Sequence, residues 1–161
     1  MTMAANPLTD FADDRVAEFI ISARVAHLAT ADREGRPHNV PLCFWFDGAR
    51  LYFVIDEKPK RRAGTGIKRM RNIAENPNVA VLVDHYEEDW TQLAYVMIHG
   101  VAQIVDDPEE YMLALRHLRD KYAQYRAMSL APDHNPIVRI DPEHVHAWGA
   151  RFAHAPESRN P

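Results

Sequence analysis

The 161-residue chain has one cysteine, Cys43, so it can form neither an intrachain disulfide nor a cysteine-based zinc site, and it suits a reducing compartment. The apolar run around Cys43 predicts burial as a small hydrophobe. Long hydrophobic runs are missing as well. The longest, such as "VAVLV" before Asp84, falls far short of the about 20 residues that cross a bilayer, and the opening "MTMAANPLTDFADDR" is acidic without a secretory pattern. These absences predict a cytoplasmic protein with no membrane partner. There is no Gly-rich phosphate loop, no Gly-x-Ser-x-Gly elbow and no carboxylate pair at a defined spacing. Nine histidines are present, yet none has a diagnostic metal-ligand spacing. His144 and His146 lie two apart on one face of a predicted strand, and His85 precedes the acids Glu87, Glu88 and Asp89.

Acidic residues are absent from one more place. Between Lys58 and Arg71 there are seven cations (Lys58, Lys60, Arg61, Arg62, Lys68, Arg69, Arg71) and no Asp or Glu, while the chain carries a formal net charge of -4, which leaves -11 on the remainder. Such a stretch could be a solvated loop that aids solubility. Nucleic-acid binding is disfavoured because a basic stretch alone is a weak signal and the remainder is strongly acidic.

The hydrophobic pattern predicts one domain, residues 1–150, with a frayed tail at 151–161. A first helix, capped by Thr9 or Asp10, places Val16, Phe19, Ile20 and Ala23 on one face. "RVAHLAT" and "HNVPLCFWF" read as strands around the turn "ADREGRP", and Asp47-Gly48 joins the second to "RLYFVI" in a hairpin. Pro41 predicts an edge or a bulge. Asn76-Pro77 precedes a buried strand, and "LAYVMIHGVAQIVD" reads as a long strand bent at Gly100. Asp107-Pro108-Glu109-Glu110 opens a helix with the apolar stripe Met112, Leu115, Leu118 and Tyr122. Residues 126–136 read as a loop, and "IVRID" and "VHAW" as closing strands. Six or seven mostly antiparallel strands with peripheral helices form most economically a closed or partly closed small β-barrel, a mainly β (α+β) fold.

The segments "ARVAHLATADREGRPHNVPLCFWFDGARLYFVID", "KRMRNIAENPNVAVLVDHYEEDW" and "IVRIDPEHVHAWG" resemble the split β-barrel flavin-binding proteins related to pyridoxamine 5'-phosphate oxidase, and most resemble their coenzyme F420-dependent branch. The resemblance covers residues 10–149. It implies a homodimer with two cofactor sites, each built from both chains. Members of the family carry a lysine three residues before the polar residue of a K-x-x-(Q/N)-(I/L)-x-x-N-P pattern, in contact with phosphate. Arg69 stands there, before Asn72, Ile73, Asn76 and Pro77, with Lys68 beside it.

A helix starting near Thr65 or Gly66 would add backbone donors for an anion. The resemblance further implies that Val40 and Pro41 lie near a cofactor ring and backbone groups of Ile55 and Asp56 near its tail. Core packing is the alternative for Val40 and Ile55. Lys58, Lys60, Arg61 and Arg62 suit the phosphodiester and glutamate tail of F420. Asn39 to Phe46 contains no cation, whereas the vitamin-forming oxidases place an arginine and a lysine on that strand, so pyridoxine phosphate oxidation is not expected. The expected activity is hydride transfer between F420 and a small-molecule substrate, with no dedicated catalytic residue; His38 and His85 are proton-donor candidates by residue type alone. The alternatives are an FMN-dependent oxidoreductase and a non-catalytic carrier of F420, a flavin or a tetrapyrrole.

Overall fold

A computed structural model describes residue 11, residues 13–56 and residues 67–153. The first helix, α1 (Asp14–Ser22), is capped by Asp13, whose carboxylate accepts from the Arg15 amide at 3.0 Å. The cap expected at Thr9 or Asp10 lies outside the described residues. Val16, Phe19 and Ile20 are buried on one face, as the spacing predicts.

Seven strands follow: β1 (Ala26–Ala31), β2 (Pro37–Leu42), β3 (Trp45–Phe46), β4 (Leu51–Val54), β5 (Asn78–His85), β6 (Ala94–Ile104) and β7 (Ile137–Gly149). They form one sheet in the order β2-β1-β5-β6-β7-β4-β3, antiparallel at every pairing, curled into a half-barrel. Pro41 sits on β2, an edge strand, where its missing N–H costs no ladder bond. The Asp47-Gly48 turn forms as predicted: the Asp47 carboxylate accepts from the amides of Ala49 and Arg50, and Gly48 takes a φ of 99° that a side chain would resist.

The predicted "IVRID" and "VHAW" strands are one strand with an extra residue inside it. Val138 and Ile140 have even numbers and Val145 an odd one, so a regular strand would point them to opposite faces, yet all three are buried in the same core. The register explains this. His99 of β6 pairs with His144, but Gly100 pairs with Pro142, so Glu143 is bulged out. Pro142 stands at this irregular pairing, and Gly100 lets the backbones close, because a Cβ there would overlap the Asp141 carbonyl.

The inner core packs Leu28, Phe44, Val81, Val83, Val96 and Ile98 against α1. A second core lies on the other side of β4, where Tyr52 and Val54 meet α3 (Pro108–Lys121) and α4 (Ala123–Ala127). Asp107 caps α3 as predicted, but its buried stripe is Tyr111, Ala114, Leu115 and Leu118, while Met112 is exposed. Residues 123–127, placed partly in a loop from the sequence, are helical because Tyr125 has a core to enter. The Tyr122 hydroxyl accepts from the Phe44 amide at 3.0 Å and donates to the Arg24 carbonyl at 3.0 Å, tying the α3–α4 junction to the β2–β3 link. Residues 151–153, expected in the frayed tail, instead belong to a 3-10 turn (Ala150–Phe152) and its C-cap, Ala153, held by Arg15, whose guanidinium donates to the carbonyls of Arg151 and Ala153; Phe152 packs edge-on against Phe19.

Gly100→Ala should lower the unfolding free energy by about 1–3 kcal/mol, because the added methyl meets backbone that cannot rotate away. Urea unfolding measures this, and an unchanged midpoint would show that the β6–β7 pairing yields at the bulge.

Candidate functional site

Three of the residues singled out in the sequence, Pro41, Asp56 and Arg69, converge where the edge strand β2, the end of β4, the helix α4 and the start of the helix α2 (Lys68–Glu75) meet. A cavity of about 280 Å³ lies there. Val25, Leu42, Phe53 and Val54 give it apolar walls, Pro41 and Cys43 stand on the β2 side, and Asp56, Arg69 and Tyr125 bring polar groups. Cys43 is therefore a half-buried wall of a cavity and not the buried hydrophobe expected, because the chain leaves β2 at Leu42 and turns toward Tyr122.

The tail of β4 is pinned by the turn at 131–136. The Ile55 amide donates to the Pro136 carbonyl at 2.9 Å, and the Asn135 side chain donates to the Ile55 carbonyl at 2.9 Å. Ile55 itself is buried in the inner core, so its carbonyl has one lone pair left for a ligand and its amide is spent. The next residue, Asp56, turns its carboxylate to the Tyr125 hydroxyl, which donates to it at 3.1 Å. Burial, with Asp56 beside it, pushes the Tyr125 phenol far above its ordinary range and keeps the proton on oxygen. Val40 does not line the cavity; it faces the inner core opposite Leu28.

Helix α2 starts without a side-chain cap and with no acid in its first turn. Its first residues are Lys68 and Arg69, so two cations stand at the positive end of a helix dipole, an arrangement that favours an anion. Those cations diverge. Arg69 lines the 280 Å³ cavity, whereas Lys68 lies in a neighbouring cleft of about 330 Å³ and donates to Asp32 at 3.2 Å. Asp32 is 3% exposed and also accepts from Arg36 Nε at 2.8 Å and from the amides of Glu34 and Arg36. The Arg36 guanidinium, the backbone amide and Lys68 together hold the Asp32 carboxyl far below the usual carboxylate range. One turn on, Asn72 is 1% exposed and donates to the Thr30 hydroxyl at 2.9 Å, fastening α2 to β1, while its amide oxygen has no hydrogen-bond partner among the described residues.

Lys58, Lys60, Arg61 and Arg62 lie outside the described residues, as does the helix start expected at Thr65 or Gly66. His38 and His85 do not line the cavity, and His85 pairs with Glu87 at 2.7 Å. Two features had no signal in the sequence: the hydrogen bond that joins Tyr125 to Asp56 across 69 residues of chain, and Lys121, whose ammonium sits 4.0 Å above the Phe44 ring and is pushed down to about 8 by burial, with Arg24 adding to the effect. No cluster of three or more His, Cys, Asp or Glu that could hold a metal ion occurs among the described residues, and none of their helices is long and apolar enough to cross a membrane.

Comparison with known proteins places this geometry. The sequence pattern of the pyridoxamine 5'-phosphate oxidase family matches residues 12–149. The chain is 30% identical over 123 residues to the 5a,11a-dehydrotetracycline/5a,11a-dehydrooxytetracycline reductase of Streptomyces rimosus, covering 76% of this chain and 72% of that one. Among solved structures it is similar to a conserved hypothetical protein of Mycobacterium tuberculosis, with a TM-score of 0.70, 21% identity and 96% of each chain covered. It is also similar to a FAD-binding protein of Mesorhizobium loti, with a TM-score of 0.61 and 22% identity over 81% of this chain and 89% of that one.

Asp32→Ala should lower the urea midpoint at pH 7 by releasing both the turn at 32–36 and Lys68. A carboxyl whose folded value is depressed stabilises the fold fully above its ordinary range and loses that effect progressively as the pH falls toward the depressed value, so the gap to wild type should begin to narrow below about pH 4 and go on narrowing with further acidification. A gap independent of pH would show that the charge of Asp32 does not hold α2.

Proposed function

Because the chain belongs to the pyridoxamine 5'-phosphate oxidase family, we propose that it is an oxidoreductase whose cofactor is the deazaflavin coenzyme F420, acting on a small, electron-poor substrate. The observation that carries the reading is Arg69, at the start of α2, lining a cavity with apolar walls, which suits a flat ring with an anionic tail. The reductase of Streptomyces rimosus supports the reaction class. F420 is favoured over a flavin for two reasons. The segment from Asn39 to Phe46 carries no cation to meet a flavin phosphate from the β2 side, and the run of seven cations from Lys58 to Arg71 exceeds what one phosphate needs. FMN is the second reading, supported by the FAD-binding neighbour.

When bound, the cofactor supplies hydride transfer. In this reading the chain's own residues do the rest. Arg69 meets the anion with charge-assisted hydrogen bonds. Leu42, Phe53 and Val54 keep water from the ring. The Tyr125 hydroxyl, protonated and anchored on Asp56, holds a proton at the cavity wall. A cavity of about 280 Å³ is at the lower end of what ring-sized ligands fill, so the reading includes a homodimer in which a second copy completes each site.

The test is a fluorescence titration of the purified chain with F420 and, separately, with FMN, each at two salt concentrations. F420 should bind in preference and more weakly at high salt. Arg69→Ala should lose at least about tenfold in affinity, the cost of one charge-assisted contact, and Lys68→Ala much less, because Lys68 faces Asp32. Preference for FMN would install the second reading, and binding of neither would overturn both.

A further inference from the structure

Two cations beside the cavity have no acid to meet them. Lys121 is the last residue of α3, and Arg24 lies in the link between α1 and β1. They share one aromatic neighbour: the Lys121 ammonium stands 5.5 Å from the centre of the Tyr122 ring, and the Arg24 guanidinium 4.8 Å from it. The same ammonium lies 4.0 Å over Phe44, a fully buried ring. Among the described residues neither side chain forms an ion pair with a carboxylate, on a chain that carries 23 acids.

Such a pair is costly as it stands. Burial, and after it the charge of Arg24, push the Lys121 ammonium down to about 8. The end of a helix draws cations, but that attraction asks only for a charge in water, whereas Lys121 is half-buried. A group that would lower the cost is an anion placed where both cations reach it.

The surroundings say what kind of molecule brings that anion. Arg24 precedes Val25, and Lys121 is near enough to Cys43 for the two to interact electrostatically; Val25 and Cys43 both line the 280 Å³ cavity. Val25 is exposed, so an apolar edge lies next to the cations. The acid of the cavity, Asp56, accepts from the Tyr125 hydroxyl and pairs with neither. Arg69 reaches the cavity from a separate element, the start of α2.

We propose that Arg24 and Lys121 form the seat for a carboxylate carried by the flat substrate, whose ring enters the cavity past Val25 and Cys43. The assignment deepens the reading above and rests on it, because it takes Arg69 as the cation of the cofactor and leaves this pair for the second molecule. Both cations donate to the carboxylate oxygens, and their mutual repulsion is relieved in the complex. A neutral ligand of the same shape leaves the two charges opposed and is disfavoured for that reason.

The experiment is an amide chemical-shift titration of the full chain, labelled with nitrogen-15, with benzoate and with its neutral counterpart benzamide. Benzoate should shift the amides of Val25 and Cys43 and bind at least about tenfold more tightly than benzamide, the effect of one charge-assisted contact. Lys121→Met, which keeps an apolar stem over Phe44, should erase that preference and hold its F420 affinity within about threefold of wild type. Arg69→Ala should do the reverse, weakening F420 and leaving benzoate within about threefold. Arg24→Gln, on an exposed side chain, should weaken benzoate as well, and it carries the test if the amide spectrum shows Lys121→Met to be unfolded. Equal binding of the two probes, binding of neither, or shifts remote from Val25 and Cys43 would overturn the seat. Loss of F420 in Lys121→Met would give the pair to the cofactor and overturn it too. A wild type that prefers benzoate but does not bind F420 would keep the seat and strike the cofactor reading alone.

Discussion

Everything else in this structure depends on the pairing of β6 with β7. Among the described residues it is the one ladder that joins the β2-β1-β5-β6 half of the sheet to the β7-β4-β3 half, and both cores draw residues from it. A strand has only two faces, so one extra residue reverses all that follows. By extruding Glu143, β7 aims Val138 and Ile140 inward before the bulge and Val145 inward after it, and so sends His144, His146 and Trp148 outward. The same device that completes the core therefore furnishes the outer face. Gly100 makes it possible, because any larger residue would hold the two backbones apart at that step.

Helix α2 is governed by a different constraint. It is short and strongly polar, with only Asn72 and Ile73 buried, so hydrophobic burial alone holds it weakly. Polar ties make up for this: Asn72 to Thr30, and Lys68 to the nearly buried Asp32. Asp32 is held as well by Arg36 and two backbone amides, so the turn that carries it is fixed by its own hydrogen bonds apart from α2. Spending Lys68 on Asp32 leaves Arg69 as the cation that α2 turns to the cavity. Two adjacent cations of one motif thus serve separate ends, one placing the helix and the other lining the site.

Features that depend on local chemistry were legible in the sequence: the Asp-Gly turn, the Asp107-Pro108 helix start, the edge or bulge at Pro41, the irregularity at Gly100 and the antiparallel character of the sheet, though "HNVPLCFWF", read as one strand, is divided into β2 and β3 where the chain turns at Cys43 and Phe44. Features decided by distant neighbours were not. Met112 satisfies the helical period as well as Tyr111 does, and only the position of β4 decides that Tyr111 is buried. Lys68 and Arg69 look equivalent in a motif, and only the turn at 32–36 tells them apart. The single-strand nature of β7 was hidden because a parity change reads as two strands. Within the candidate site, Pro41, Asp56 and Arg69 line one cavity as a group, but Tyr125 and Lys121 come from helices whose docking no spacing announces.

The location of the cavity follows from these constraints together. Edge strands invite unwanted pairing, and β2 blunts its own edge with Pro41 before its chain leaves the ladder at Cys43. Leaving there opens a gap between β2 and the end of β4, which the fold fills with Tyr125 and Arg69 in place of a further strand. A gap of this kind is apolar where strands line it and polar where helices reach it, and it sits at the margin of the sheet. Of the described cations in the basic run, Arg69 lines this gap, so in the proposed reading it draws an anion toward walls that can also hold a ring. The cation at the start of α2 and the interrupted edge strand are in that reading two parts of a single site.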